Sequence, residues 1–146
     1  MNILISYFYN IRFFPESLVP VSTAVYDPKW YHAFKSQNTI FSDKRNVVNG
    51  NRIDILSPYK IANCECKDCL IKDASKCSFI RLYREYIFSL DFDCVYNKLL
   101  NISHAFNDAD ICLMVYEKPD NPCSERAIIV EWFKINGIDV KEFSKS

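Results

Sequence analysis

Four of the seven cysteines stand together, Cys64, Cys66, Cys69 and Cys77, spaced C-x-C-x2-C-x7-C. Thiolates are the soft ligands that tetrahedral zinc takes, and a short loop brings four of them to one point. Lys60, Lys67, Lys72 and Lys76 lie among them and offset the two negative charges of a Zn(Cys)4 centre. The spacing predicts one structural Zn2+, with an iron–sulfur cluster, a redox switch or unligated thiols as alternatives. A catalytic zinc needs an open position and usually a His or carboxylate ligand, and His32 and His104 are distant in sequence. Cys94, Cys112 and Cys123 are scattered. The N-terminus lacks a basic segment and a small-residue cleavage site, so the expectation is a cytoplasmic, reducing setting without a disulfide framework.

Cys123 suggests a second chemistry. It stands just before an apolar helical stripe, where unpaired N–H groups and the helix dipole favour an anion and lower a thiol pKa. Arg126, three residues on, reaches the same turn, and Glu117 ends the preceding apolar run, placed to act as a base or to orient a partner. Glu117 and Arg126 pairing across the turn beside a capping cysteine is the structural alternative. The C-x2-R spacing is not the C-x5-R loop of tyrosine phosphatases. Ser6, Tyr7, Tyr9, Asp27 and Trp30 stand at two further run ends and complete the candidate ligand site. Their rings offer a stacking surface for a base, although most aromatic rings serve a core.

These residues need elements to hold them. Asn2–Tyr7, Val19–Val25 and Ile111–Tyr116 are short, continuously apolar runs that suit strands buried on both faces, and Ile138–Phe143 reads as a last strand. Asp27-Pro28 opens a possible helical turn carrying Trp30, Tyr31 and Phe34. Phe79, Tyr83, Tyr86, Ile87 and Leu90 form one helical stripe, and a second helix starts at Asp91 or Asp93 with Val95, Leu99 and Ile102 inward. A third carries Ile128, Ile129, Trp132, Phe133 and Ile135 and stops at Asn136-Gly137. Strand–helix–strand over residues 111–143 implies a crossover in a parallel sheet. Asn49-Gly50, flanked by β-branched residues, predicts a hairpin over residues 47–55 outside that core. From there to Cys77 no periodicity appears, and a metal staple would explain how so long a stretch is held. The expectation is one α/β domain over residues 1–146, a Rossmann-like three-layer sandwich with a mostly parallel sheet. Residues 38–78 would be an insertion bearing the hairpin and a zinc knuckle.

Composition narrows the function classes. Hydrophobic residues make up 49% and charged ones 25% of 146 residues, which excludes a disordered chain. The 18 basic and 18 acidic side chains balance, which argues against non-specific nucleic-acid binding. No apolar run reaches the ~20 residues of a membrane span. Two glycines, Gly50 and Gly137, leave no glycine-rich phosphate loop.

The last third, from Ile111-Cys-Leu-Met-Val-Tyr-Glu117 through Cys123-Ser-Glu-Arg126 to Trp132 and Gly137, resembles domain-of-unknown-function family 488. Ile5-Ser-Tyr-Phe8, Val19-Pro-Val-Ser22, Pro28-Lys-Trp-Tyr31 and the Tyr83-x2-Tyr86 pair are similar to it as well. The family has a Cys-His-Arg motif where this chain has Cys123, Ser124-Glu125 and Arg126. The resemblance implies a Rossmann-like fold and no established activity. The function expected is binding or processing of a small anionic molecule, such as a nucleotide, around Cys123 and Arg126. Whether the chain is an enzyme stays open. The alternative is a non-enzymatic module, of a kind a phage or mobile element encodes, that engages a host protein.

Overall fold

The run Ile-Leu-Ile-Ser-Tyr becomes strand β1 (Ile3–Tyr7), and Leu-Val-Pro-Val-Ser becomes β2 (Leu18–Ser22). Asp-Ile-Cys-Leu-Met-Val becomes β5 (Asp110–Val115), buried along almost its whole length. These are three of the four inner strands of a computed structural model that describes residues 1–33, 48–58, 78–120 and 124–145. β4 (Val48–Arg52) lies beside β2, and the two-residue β6 (Lys141–Glu142) lies beside β1. A short β3 (Tyr31–Ala33) adds to the outer edge of β4. The order is β3-β4-β2-β5-β1-β6, and every pair is parallel. The chain is thus an α/β protein with a Rossmann-like parallel sheet, as the continuous apolar runs imply.

Alternation along the strands separates two cores. Ile3, Ile5, Val19, Val21, Ile111, Leu113 and Val115 face the helices α1 (Ser78–Phe88), α2 (Phe92–Ala105) and α3 (Arg126–Ile135). Tyr83, Ile87, Val95, Leu99, Ile129 and Phe133 meet them from the helix stripes. Leu18, Cys112 and Met114 face the other way, toward Phe8 and Ile11 of a 3-10 helix (Phe8–Phe13) and toward Tyr31. The helices among the described residues therefore share one face, and aromatic rings on 3-10 and loop segments cover the other. Asp91 caps α2, its carboxylate accepting from the Asp93 N–H at 3.1 Å. Gly137 follows α3 at φ +87°, a left-handed conformation that closes a helix at low cost only for glycine. No helix among the described residues is long and apolar enough to cross a membrane.

Three expectations are corrected. Asn49-Gly50 does not turn: residues 48–52 are one strand, paired in parallel with β2 on one side and β3 on the other. Two ladders outweigh the local preference of Asn-Gly for a hairpin, so this segment belongs to the sheet rather than to an appended insertion. The turn after Asp27-Pro28 closes with the Tyr31 N–H donating to the Pro28 carbonyl at 2.9 Å, and the chain then enters β3 instead of a helix. The last strand is only Lys141–Glu142, shorter than the run 138–143. Cys64, Cys66, Cys69, Cys77 and Cys123 lie outside the described residues.

Candidate functional site

After β2 the chain moves outward to β3 and β4, and after β5 it crosses β1 to reach β6. The ends of β2 and β5 are neighbours whose continuations part in opposite directions. In open parallel sheets that divergence leaves a crevice beyond the strand ends, where ligands bind. A cavity of about 380 Å³ lies there, lined by Ala24, Tyr26, Phe79, Tyr116, Glu117 and Glu125, with Val25 and Pro58.

Glu125 is the unusual member. It precedes α3 and is 3% exposed, although it is an acid. Among the described residues the hydrogen-bond partner of its carboxyl group is Thr23, whose Oγ1 lies 3.4 Å from Oε1. Thr23 Oγ1 also lies 3.1 Å from the Met114 carbonyl oxygen, which can only accept. A hydroxyl has one proton, and that proton serves Met114. The contact with Glu125 is the longer of the two, so Thr23 gives the carboxylate only weak stabilisation. Burial, with the Glu117 charge second, pushes the Glu125 pKa up to about 8 against the opposing pull of Thr23 and Arg126. Glu125 is therefore a neutral acid at pH 7.

Arg126, the next residue, does not neutralise it. Its Nε donates to Glu142 Oε1 at 2.7 Å, Nη2 to Glu142 Oε2 at 3.4 Å and Nη1 to the Glu117 carbonyl at 2.7 Å. The guanidinium expected to meet an anion instead ties the start of α3 to β6 and to the end of β5. Glu142 in turn has its pKa raised by burial, with Arg126 acting against the rise. Glu117 keeps its carboxylate toward the cavity, accepting from the Ser124 hydroxyl at 3.3 Å.

Ser22, on the opposite side of β2 from Thr23, anchors a second polar cluster. Its Oγ donates to Asp27 Oδ1 at 2.5 Å and accepts from the Ala24 N–H at 3.2 Å. Arg52, at the end of β4, donates to Asp27 at 2.6 Å, to the Ala24 carbonyl at 2.6 Å and to Asp54 at 2.9 Å. This fork of donors holds the loop after β2 and so fixes one wall of the cavity. Asp27 therefore acts in that clamp.

Ser6, Tyr7, Tyr9 and Trp30 are not among the residues lining the crevice. Ser6 is buried and accepts from Asn10 Nδ2 at 3.0 Å. Tyr7 stacks on Tyr9 with ring centroids 6.1 Å apart, and the Arg12 guanidinium lies 4.1 Å over Tyr9. Trp30 packs edge-on against Phe8 at 6.3 Å. Of the sequence candidates among the described residues, only Glu117 lines the crevice. Cys112 is fully buried and its thiol pKa is raised by that burial, which makes it a core residue rather than a nucleophile. Thr23, Arg52 and Glu125 escaped the sequence reading. The available signals were polar residues directly after an apolar strand, at Ser22-Thr23, and an acid at a helix entry.

No family model, curated protein or solved structure matches this chain.

Proposed function

We propose that the chain is a small-molecule-binding α/β domain whose site is the crevice beyond β2 and β5, and that its ligand carries no negative charge. The observation that carries this reading is the buried carboxyl of Glu125 lining a cavity together with the Glu117 carboxylate. A carboxyl is buried at a cost unless something offsets it, and a pair of them beside open volume is an arrangement that function explains better than stability. Two carboxyls of unlike protonation can also pass a proton to and from a bound molecule. A nucleotide phosphate, the ligand suggested by Cys123 and Arg126, fits this crevice poorly. Arg126 is engaged by Glu142, and Glu117 repels an anion. The resemblance to domain-of-unknown-function family 488 agrees with a Rossmann-like fold and adds no activity.

The test is a fragment titration followed by backbone amide shifts, with the fragments grouped as neutral, cationic and anionic. Neutral or cationic fragments are expected to move the signals of Thr23, Ala24, Glu117 and Glu125 together. Failure of every fragment to move them, or movement by anions alone, overturns the reading.

A further inference from the structure

Resting on the crevice as the ligand site, we infer that it is built for an organic cation, an amidinium or protonated amine, seated between the carboxyl groups of Glu117 and Glu125 and an aromatic rim. Three features of the cavity agree. Its described lining includes two carboxyl groups and no Lys or Arg side chain. Both carboxyls have acceptor atoms to offer. Glu117 is held by the Ser124 hydroxyl, and the Thr23 contact occupies Glu125 Oε1 and leaves Oε2 without a partner among the described residues. Finally, Tyr26, Phe79 and Tyr116 supply rings to the lining, and Tyr26 (80% exposed) and Tyr116 (61% exposed) stand at its mouth. Aromatic faces next to acidic groups form an environment that attracts a positive charge and discriminates against anions.

Binding such a ligand has a proton cost that makes the idea measurable. Among the described residues the groups around Glu125 are Glu117 on the β5–α3 connection, Thr23 just after β2, the buried phenol of Tyr83 on α1 and Arg126 at the start of α3. Arg126 faces Glu142 and only partly offsets the burial of Glu125, and among the described residues no Lys or Arg lines the cavity. An arriving cation favours the ionised carboxyl. Below the Glu125 pKa of about 8, Glu125 must then release its proton as the ligand enters. Atoms balance simply: the carboxyl O–H bond breaks, the proton passes to buffer, and the carboxylate pairs with the ligand N–H.

The experiment is isothermal titration of the full chain with benzamidine, benzamide and benzoate, which share a ring and differ in charge. It is run in phosphate and in HEPES so that proton release is read from the heat difference. Benzamidine is expected to bind best and release a fraction of a proton near pH 7. Its affinity should rise by up to about tenfold per pH unit below 8 and level off above it. Glu125→Gln should abolish the proton release and weaken binding at pH 8 by roughly tenfold. Glu117→Gln should weaken binding and reduce the proton release without abolishing it, because burial is the larger cause of the raised Glu125 pKa. Benzamide binding as tightly as benzamidine, or benzamidine binding without proton release, overturns the cation assignment and leaves the crevice as a site. Binding of none of the three overturns the assignment too, and the broader fragment titration then decides whether the crevice is a site at all.

Discussion

Glu125→Gln preserves side-chain shape and an oxygen that can accept from Thr23 while removing the titration, so it isolates what the buried acid does to folding. Between an ordinary carboxyl pKa of 4.5 and about 8, the native protein holds a proton on Glu125 that the unfolded chain has released. The native state binds more protons there, so stability falls as pH rises, by ~1.4 kcal/mol per pH unit for this one group. Over the whole interval the loss is on the order of 5 kcal/mol, complete above the folded pKa and absent below the unfolded one. The variant escapes it. For a chain of this size each kcal/mol moves the melting temperature by about 3 °C, so the variant should gain roughly 10 °C on the native protein between pH 5 and pH 8. Glu142, raised by burial, and Glu131, lowered by Arg84, titrate in both proteins and cancel in the difference. The assay is thermal unfolding by circular dichroism at half-unit pH steps. A melting difference that stays constant from pH 5 to 8 would refute the buried neutral acid and the protonation logic built on it.

Arg126→Ala leaves Glu142 and the Glu117 carbonyl without the buried Arg126 donor, and should cost about 2 kcal/mol in urea denaturation. A negligible cost would show that the guanidinium does not hold β6 to α3. Gly137→Ala places a side chain at φ +87° with nothing within 4 Å to clash, so the penalty is backbone strain alone, about 1 kcal/mol by the same measurement. Elemental analysis should find about one zinc per chain, bound by Cys64, Cys66, Cys69 and Cys77. Zinc-free protein with four freely titrating thiols in the native state would remove that proposal.

Much of the frame was legible without coordinates because it rests on local patterns. The apolar runs behind β1, β2 and β5 are continuous, as strands buried on both faces must be, and that alone implies a parallel α/β sheet. Asp91 and Asn136-Gly137 mark helix ends because capping is satisfied within a few residues. Strand partners follow a different rule. Asn49-Gly50 reads as a turn in isolation, yet β3 pairs with it directly and β2 with the residues after it, which holds the segment extended. The same holds for the site. Arg126 looked free for an anion because Glu142, sixteen residues further on, gave no local sign of reaching it. Glu125 carries no sequence mark of burial. Its burial depends on β2 and β5 lying side by side, which brings Thr23 and the Met114 carbonyl over it from about a hundred residues and about ten residues away in sequence. Residue type and spacing determine which elements form, since those energies are local. Which charge is paired, and which acid keeps its proton, is decided by the low-dielectric surroundings that only the assembled sheet creates.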